Sequence, residues 1–259
     1  MPFTVSHTLA AVPLRRLLGR RAVPSALVIG TMVPDFRHLI PRFDALATHT
    51  FAALLWFVPP VGLATYLVFH AWLREPALAL LPLAVRRRMG RFIRPSSPER
   101  PPGILAVVVS LVVGAASHLV WDGFTHRETF VVDHFHGVFA AVLWHRGHHY
   151  LFVYALIQYG TSALGLVLVV AWCRGWLARQ PVDESIGRAG TAAERAVGVA
   201  LVVGAPALSL IGRFFAMLLD GQWIGMAAGL AVRLAARVLV GGLLVFALAW
   251  RLRHRRAAA

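Results

Sequence analysis

Five stretches of mainly apolar residues punctuate this chain: Phe51–Leu73, Gly103–Trp121, Tyr150–Trp172, Ala196–Leu219 and Ile224–Trp250. Each comes close to the roughly twenty residues that an α-helix needs to cross the hydrocarbon of a bilayer. In lipid a spanning segment must satisfy its own backbone polar groups. The expected fold is therefore all-α, a polytopic membrane helical bundle with about five transmembrane spans. Composition agrees. Hydrophobic residues make up 58% of the chain and charged residues 14%, against roughly 45–50% and about 25% in soluble domains.

The first span contains Pro59 and Pro60, which should kink it, since proline removes a backbone donor. The last carries Arg233 and Arg237, four apart. The two must share one face, toward the protein interior or water, because lipid exposure of a guanidinium is costly. Ahead of the first span, Leu9–Val33 is apolar only in patches and is interrupted by Pro13, Arg15, Arg16, Arg20, Arg21 and Pro24. A crossing there would put arginines inside the bilayer. Short N-terminal helices, packed at the outer surface or between spans, are expected instead.

The net charge is +15, and all 26 basic residues are Arg. These arginines flank the apolar runs rather than striping one amphipathic face, so no nucleic-acid partner is expected. They set orientation instead. Arg74–Pro102 holds seven, Thr125–His149 two, Cys173–Arg195 four, Asp220–Trp223 none and the tail four. That alternation of basic-rich and basic-poor connections follows the positive-inside rule for a multi-pass protein with a cytoplasmic C-terminus. It places residues 122–149 and the residues just before Phe51 on one, outer, side. The N-terminal basic cluster follows the first apolar stretch, the reverse of a secretory leader, so no cleavage is expected. Cys173 is the lone cysteine, which excludes a disulfide or a cysteine-based zinc site within one chain.

Ionisable side chains at membrane depth are costly and usually functional. Those that stand out are His7, Asp35, His38, His49, His70, His118, Asp122, His126 and a histidine-rich stretch from Asp133 to His149. Residues i, i+4 and i+8 of a helix drift by only about 40° per step. His118, Asp122 and His126 therefore share one face if the helix continues past Gly123. Paired imidazoles at that spacing can hold one ion, and Trp121 marks the interfacial belt. Further donors must come from other segments, and His7, Asp35 and His49 fall on the same side. Imidazole with carboxylate suits zinc or another divalent transition metal, and two ions sharing these donors could clamp an ester. Asp35 or Asp122, whichever is not fully occupied as a ligand, would orient or deprotonate a bound water.

Each residue also has a plainer reading. His118, Asp122 and His126 can form a hydrogen-bonded packing network. Asp35 can N-cap a short helix, and His7 and His49 can be interfacial polar groups. His70 reads as structural. His134, His136, His145, His148 and His149 read as a mobile outer loop that collects metals without catalytic purpose. Gln158 and Gly160–Ser162 fit tight helix contact and interhelical hydrogen bonding. No internal repeat or matched pair of broken helices favours a transporter.

In order and spacing, MPFTVSH, ALVIGTMVPDF, HTFAALLWFVPPVGLATYLVFHAWLREP, GAASHLVWDGFTH and LIQYGTS resemble an uncharacterised bacterial membrane family, domain of unknown function 4184. The resemblance covers residues 1 to about 172 and implies a bacterial plasma-membrane location. On this reading residues 1–172 form the family-like domain with the metal site. Residues 173–259 add a cytoplasmic linker and two further spans. More remotely, the order His, Pro-Asp, His, His-x3-Asp-x3-His is similar to the zinc-dependent phospholipase C group and to membrane-bound metal-dependent hydrolases. That similarity implies ligand roles for His7, Asp35, His49, His118, Asp122 and His126, and action on a lipid-borne or small ester. The soluble lipases also use a downstream His-x3-Glu pair, which this chain lacks after residue 126. The alternative is a non-enzymatic membrane protein whose buried His/Asp network is structural or serves an ion or a partner.

Overall fold

The computed structural model describes residues 4–39, 48–94, 102–127, 129–147, 149–222 and 224–255. It divides into two compact units, one of Met1–Tyr66 with Pro102–Ala171 and the other of Leu67–Pro101 with Trp172–Ala259. Helix dominates both. Among the described residues four helices are long and apolar enough to cross a membrane: α8 (Ile104–Thr125), α11 (Val153–Ala178), the run Ala192–Leu219 and α14 (Ile224–Arg255).

The fifth expected span, Phe51–Leu73, is not a continuous helix. It is cut at Phe57 into α3 (Ala53–Trp56) and α4 (Val58–Val68), and passes into a π-helical turn at Phe69–Leu73. Pro59 and Pro60 occupy the first turn of α4 rather than kinking its middle. A missing N–H costs nothing there, because those donors have no intrahelical acceptor.

The N-terminal region of the first unit forms short helices, as its broken apolar pattern implies. A 3₁₀ segment (Thr4–Ala10) leads into α1 (Ala11–Leu18), followed by a short 3₁₀ turn (Gly19–Arg21), α2 (Pro24–Gly30) and a third 3₁₀ turn (Val33–His38). α2 runs alongside α8 at a close backbone approach. A Cβ added at Gly30 would lie 2.2 Å from the Leu111 carbonyl oxygen, and one at Gly114 would lie 2.5 Å from that of Leu27. Only glycine fits either place. Small residues at a crossing let two helices meet backbone to backbone, and polar ties bracket this one. At the start of α2 the Val23 N–H donates to Ser110 Oγ at 3.0 Å, and just past its end the Thr31 carbonyl accepts from His118 Nδ1 at 2.8 Å. Ser110, Gly114 and His118 lie at four-residue steps, so one stripe of α8 fixes α2 along its length.

After α8 come α9 (Phe130–His134) and α10 (His136–Phe139), then a hairpin of β1 (Val142–Arg146) and β2 (His149–Phe152). The stretch expected as a mobile loop is thus largely structured. β1 and β2 pair antiparallel, with His145 opposite Tyr150, and Gly147 turns the chain at φ +57°.

In the second unit, α5 (Arg74–Leu80), α6 (Leu83–Arg88) and α7 (Gly90–Ile93) accompany α12 (Ala192–Val199), α13 (Ala205–Leu219) and α14. Thr191 and Glu194 close a reciprocal capping box on α12. α14 approaches the π-helical turn Ala200–Gly204 closely, since a Cβ on Gly242 would stand 2.4 Å from the Leu201 carbonyl oxygen. Arg86 is buried and donates to the carbonyls of Leu78 at 2.6 Å and Gly187 at 3.1 Å. Arg233 and Arg237 are both half-buried.

Candidate metal centre

Four separate stretches of the first unit bring imidazoles and carboxylates together at the C-terminal end of α8. His118 and Asp122 come from α8 itself, one turn apart. Asp35 comes from the 3₁₀ turn that follows α2, His49 from the residues just before α3, and His7 from the first 3₁₀ segment. His118 is fully buried, and Asp35 and Asp122 are each 4% exposed. Asp35 does not cap a helix. Its Oδ2 accepts from Thr4 Oγ1 at 2.7 Å, which leaves Oδ1 facing inward.

Four donor atoms close a ring in which nitrogen and oxygen alternate. His118 Nε2 lies 3.2 Å from Asp122 Oδ2, which lies 3.4 Å from His49 Nε2. His49 Nε2 is 3.2 Å from Asp35 Oδ1, which is 3.6 Å from His118 Nε2. Four ligands placed tetrahedrally about a zinc at about 2.0–2.1 Å stand about 3.3–3.4 Å from one another. The observed spacings bracket that value. Asp122 Oδ1, outside the ring, faces His7 Nε2 at 3.6 Å. Among the described residues two overlapping groups of three place their donor atoms within 4.8 Å of one another: Asp35, His49 and His118, and His7, His118 and Asp122. Both are two imidazoles and one carboxylate, a donor set suited to zinc or iron.

Tautomers make the ring more than a coincidence of distance. The Nδ1 of His118 bonds to a backbone carbonyl, that of Thr31, so it must carry the proton. Thr48 Oγ1 donates its own proton to the Pro34 carbonyl at 2.9 Å, so its lone pair accepts from His49 Nδ1 at 3.1 Å. On a neutral ring Nε2 is therefore the lone-pair nitrogen and on a protonated ring a second donor, and in both histidines it faces carboxylate oxygen. Lone pair against lone pair in a buried site is repulsive unless a proton or a cation sits between them. Among the described residues, His118 Nε2 and both Asp122 oxygens have no partner in hydrogen-bonding geometry. A carbonyl or hydroxyl that fixes one ring nitrogen and aims the other inward is the usual second layer of a metal-ligating histidine.

His7 stacks on His118 with ring centroids 4.0 Å apart and planes inclined by 21°. Burial and the neighbouring His118 hold its pKa down to about 4, so near neutrality it is an uncharged imidazole. For Asp35, burial pushes the carboxyl up, but His118 and His49 beside it more than offset this, and the net is below the usual carboxylate range. Burial pushes His49 down, and its contacts with Asp122 and Asp35 more than reverse this.

His126 stands apart. α8 ends at Thr125, and His126 is its C-cap, with an extended backbone at φ −124° and ψ 144°. The chain has left the helix there, so the i+8 projection does not apply. Its Nδ1 lies 3.4 Å from Asp122 Oδ1, but it belongs to neither donor group. Its Nε2 meets the side-chain amide of Gln158 on α11 at 2.6 Å. His134, His136 and His145 are exposed and outside both donor groups, while His148 lies outside the described residues. The tight contact expected of Gly160–Ser162 falls elsewhere on α11. Ser162 is buried, but Gly160 has nothing near it, and the close approach is at Gly165, where a Cβ would stand 2.9 Å from that of Ser6. Sequence reasoning passed over Thr4, Thr48 and the Thr31 carbonyl. Hydroxyls flanking His and Asp, at Thr48–His49 for instance, were the available signal.

Membrane-length helices with a buried centre of imidazoles and carboxylates at the end of one of them define the class, an α-helical protein suited to a bilayer. The chain belongs to the family described as Domain of unknown function (DUF4184), whose model matches residues 1–252. The match runs past residue 172, where the recognisable motifs end. No curated protein and no solved structure matches the chain.

Proposed function

We propose that the chain is a membrane-embedded divalent-metal protein that hydrolyses a lipid-borne or small ester, with His118, Asp122, His49 and Asp35 holding the ion and His7 on its open flank. The observation that supports it is the alternating ring of imidazole Nε2 atoms and carboxylate oxygens, with the Nδ1 of two of the imidazoles tethered from outside. Zinc or another divalent transition metal suits these donors, and such an ion when bound lowers the pKa of a coordinated water toward neutrality. The residues do the rest. Thr4, Thr48 and the Thr31 carbonyl hold the donors in place. Asp122 Oδ1, the carboxylate oxygen outside the ring, accepts a proton from water while the water oxygen bonds to the acyl carbon or phosphorus. The ester C–O or P–O bond breaks, and that proton passes to the leaving alkoxide. The alternation of arginine-rich and arginine-poor connections supports an outward-facing centre and a cytoplasmic C-terminus in the bacterial plasma membrane.

Elemental analysis of the full chain purified in detergent tests the metal. About one equivalent of a transition metal per chain is expected, lost in a His118→Ala, Asp122→Asn double variant that keeps its helical circular dichroism. Protein that holds no stoichiometric metal sinks the proposal. A second reading rests on the His126–Gln158 contact, which joins α8 to α11: the cluster is a packing network without an ion. It requires that a chelator leave stability unchanged.

A further inference from the structure

A cleft of about 460 Å³ opens beside His7, between the N-terminal helices, α8 and α11. Its size suits a ligand of a few tens of atoms. Its walls are mainly apolar, with Leu9, Val12, Trp121, Leu164 and Leu168 among them. Of its polar residues, His7 adjoins the His/Asp centre by stacking on His118, and Ser6 packs on Gly165 of α11. Two hydroxyls that also line the cleft are turned away from it. Ser117 Oγ donates to the Gly114 carbonyl at 2.7 Å, and Thr161 Oγ1 to that of Ile157 at 2.6 Å. Each spends its proton on its own helix, so the walls offer a ligand almost no donor.

Depth decides what such a cleft meets. Ser117 lies eight residues before the end of α8, and Leu168 fifteen residues after the start of α11. At 1.5 Å per residue these are about 12 Å and 22 Å along their helices. α8 ends where α11 begins, since His126 touches Gln158. The cleft therefore lies beside His118, lined by Ser117 and Trp121 of α8 and by Thr161, Leu164, Gly165 and Leu168 of α11, within the apolar stretches of two membrane-length helices.

We infer that this cleft seats the apolar tail of a membrane amphiphile and brings its oxygen-bearing head to His7, so that the substrate is lipid-borne rather than a small soluble ester. The inference rests on the metal reading for the position of the head, not for the tail. In a bilayer a tail gains little by leaving lipid for an apolar groove. Shape and His7 therefore supply selectivity, and the groove acts by orientation. An ester bond sits at the junction of head and tail, which the cleft places next to Asp122 through His7.

A palmitate carrying a photoactivatable diazirine on its tail, added to the full chain in detergent, tests this. Crosslinks mapped by mass spectrometry are expected on Leu9–Pro13 and Leu164–Leu168. Leu168→Trp and Leu164→Trp, both at positions exposed enough to take the larger ring, fill the groove and are each expected to cut that labelling roughly tenfold. Leu208→Trp, on an exposed face of α13, should change nothing. Label spread evenly over the exposed faces of α11 and α13, or label in the cleft that neither tryptophan reduces, overturns the inference. Zinc content measured on the same samples separates the two readings. Zinc without cleft labelling overturns the tail site alone, and cleft labelling without zinc overturns the metal alone.

Discussion

Replacing Asp122 by Asn keeps the side-chain volume and exchanges one charged oxygen for an amide. The carboxylate it removes faces four imidazoles, with Oδ2 toward His118 and His49 and Oδ1 toward His7 and His126. Two consequences separate by condition. With metal chelated, ring protons take the ion's place and the substitution removes the carboxylate they face, which costs about 1–3 kcal/mol. With metal present, one ring ligand becomes a neutral and weaker donor, and a hundredfold loss of affinity is the natural scale, about 2.7 kcal/mol. Zinc at a hundred times its dissociation constant stabilises the native chain by about 2.7 kcal/mol. At roughly 2–4 °C per kcal/mol for a chain of this size, that raises the melting temperature by roughly 5–11 °C. At the same zinc concentration the variant, bound a hundredfold more weakly, gains only about 0.4 kcal/mol, a shift of one or two degrees. Thermal unfolding of wild type and Asp122→Asn in detergent, each with chelator and with zinc, reads all four states. Equal zinc shifts in the two proteins, or no shift in the wild type, would refute the reasoning.

Thr48→Val removes the hydroxyl that holds His49 Nδ1, so metal affinity should fall about 10- to 100-fold and return in Thr48→Ser; equal affinities across the three by competition titration would count against the tautomer argument. His126→Ala should retain one metal per chain, because His126 belongs to neither donor group, and elemental analysis showing an empty variant would make it a ligand after all. Gly114→Ala places a methyl 2.5 Å from the Leu27 carbonyl and should destabilise the chain by about 1–3 kcal/mol or more, while Gly160→Ala, with nothing within 4 Å, should not. Melting temperatures with metal chelated compare the two, and equal effects would argue against a glycine-dependent α2–α8 crossing.

Much of the centre was legible in the sequence because charge and lipid do not mix. His7, Asp35, His49, His118 and Asp122 stood out as ionisable groups in apolar surroundings, and the structure brings all five together. His126 was read onto the same face by a spacing that holds only while the helix continues, and the backbone turns out of α8 at that residue. The hydroxyls of Thr4 and Thr48 carry a much weaker signal, for Thr48 only its place beside His49, since threonine is ordinary in any setting. The Thr31 carbonyl carries none at all, because a main-chain acceptor has no letter of its own. Pro59 and Pro60 were visible, but a proline pair inside an apolar run has two meanings, a kink in one helix or the first turn of the next. Only the break at Phe57 selects the second. β1 and β2 were hidden because their four-to-five-residue runs are dominated by histidine and aromatic side chains without clean alternation.

The same local facts bear on whether the centre is only packing. The α2–α8 contact is already secured by Gly30 and Gly114, which allow the backbones to touch, and by Ser110, which answers the Val23 amide. Two carboxylates and several imidazoles at one end of that contact add desolvation cost that a set of apolar side chains of equal volume would avoid, often with a gain of about 1–4 kcal/mol. A packing network would also be expected to satisfy itself, each imidazole donating to the acceptor it faces. Here His118 and His49 give their Nδ1 protons outward, to Thr31 and Thr48, and turn Nε2 inward on carboxylate oxygen. Each inner nitrogen then needs either a second ring proton or a cation between it and the oxygen it faces. Packing alone explains neither the cost of burying this many ionisable groups nor their convergence on one point, and metal content separates a protonated network from an ion site.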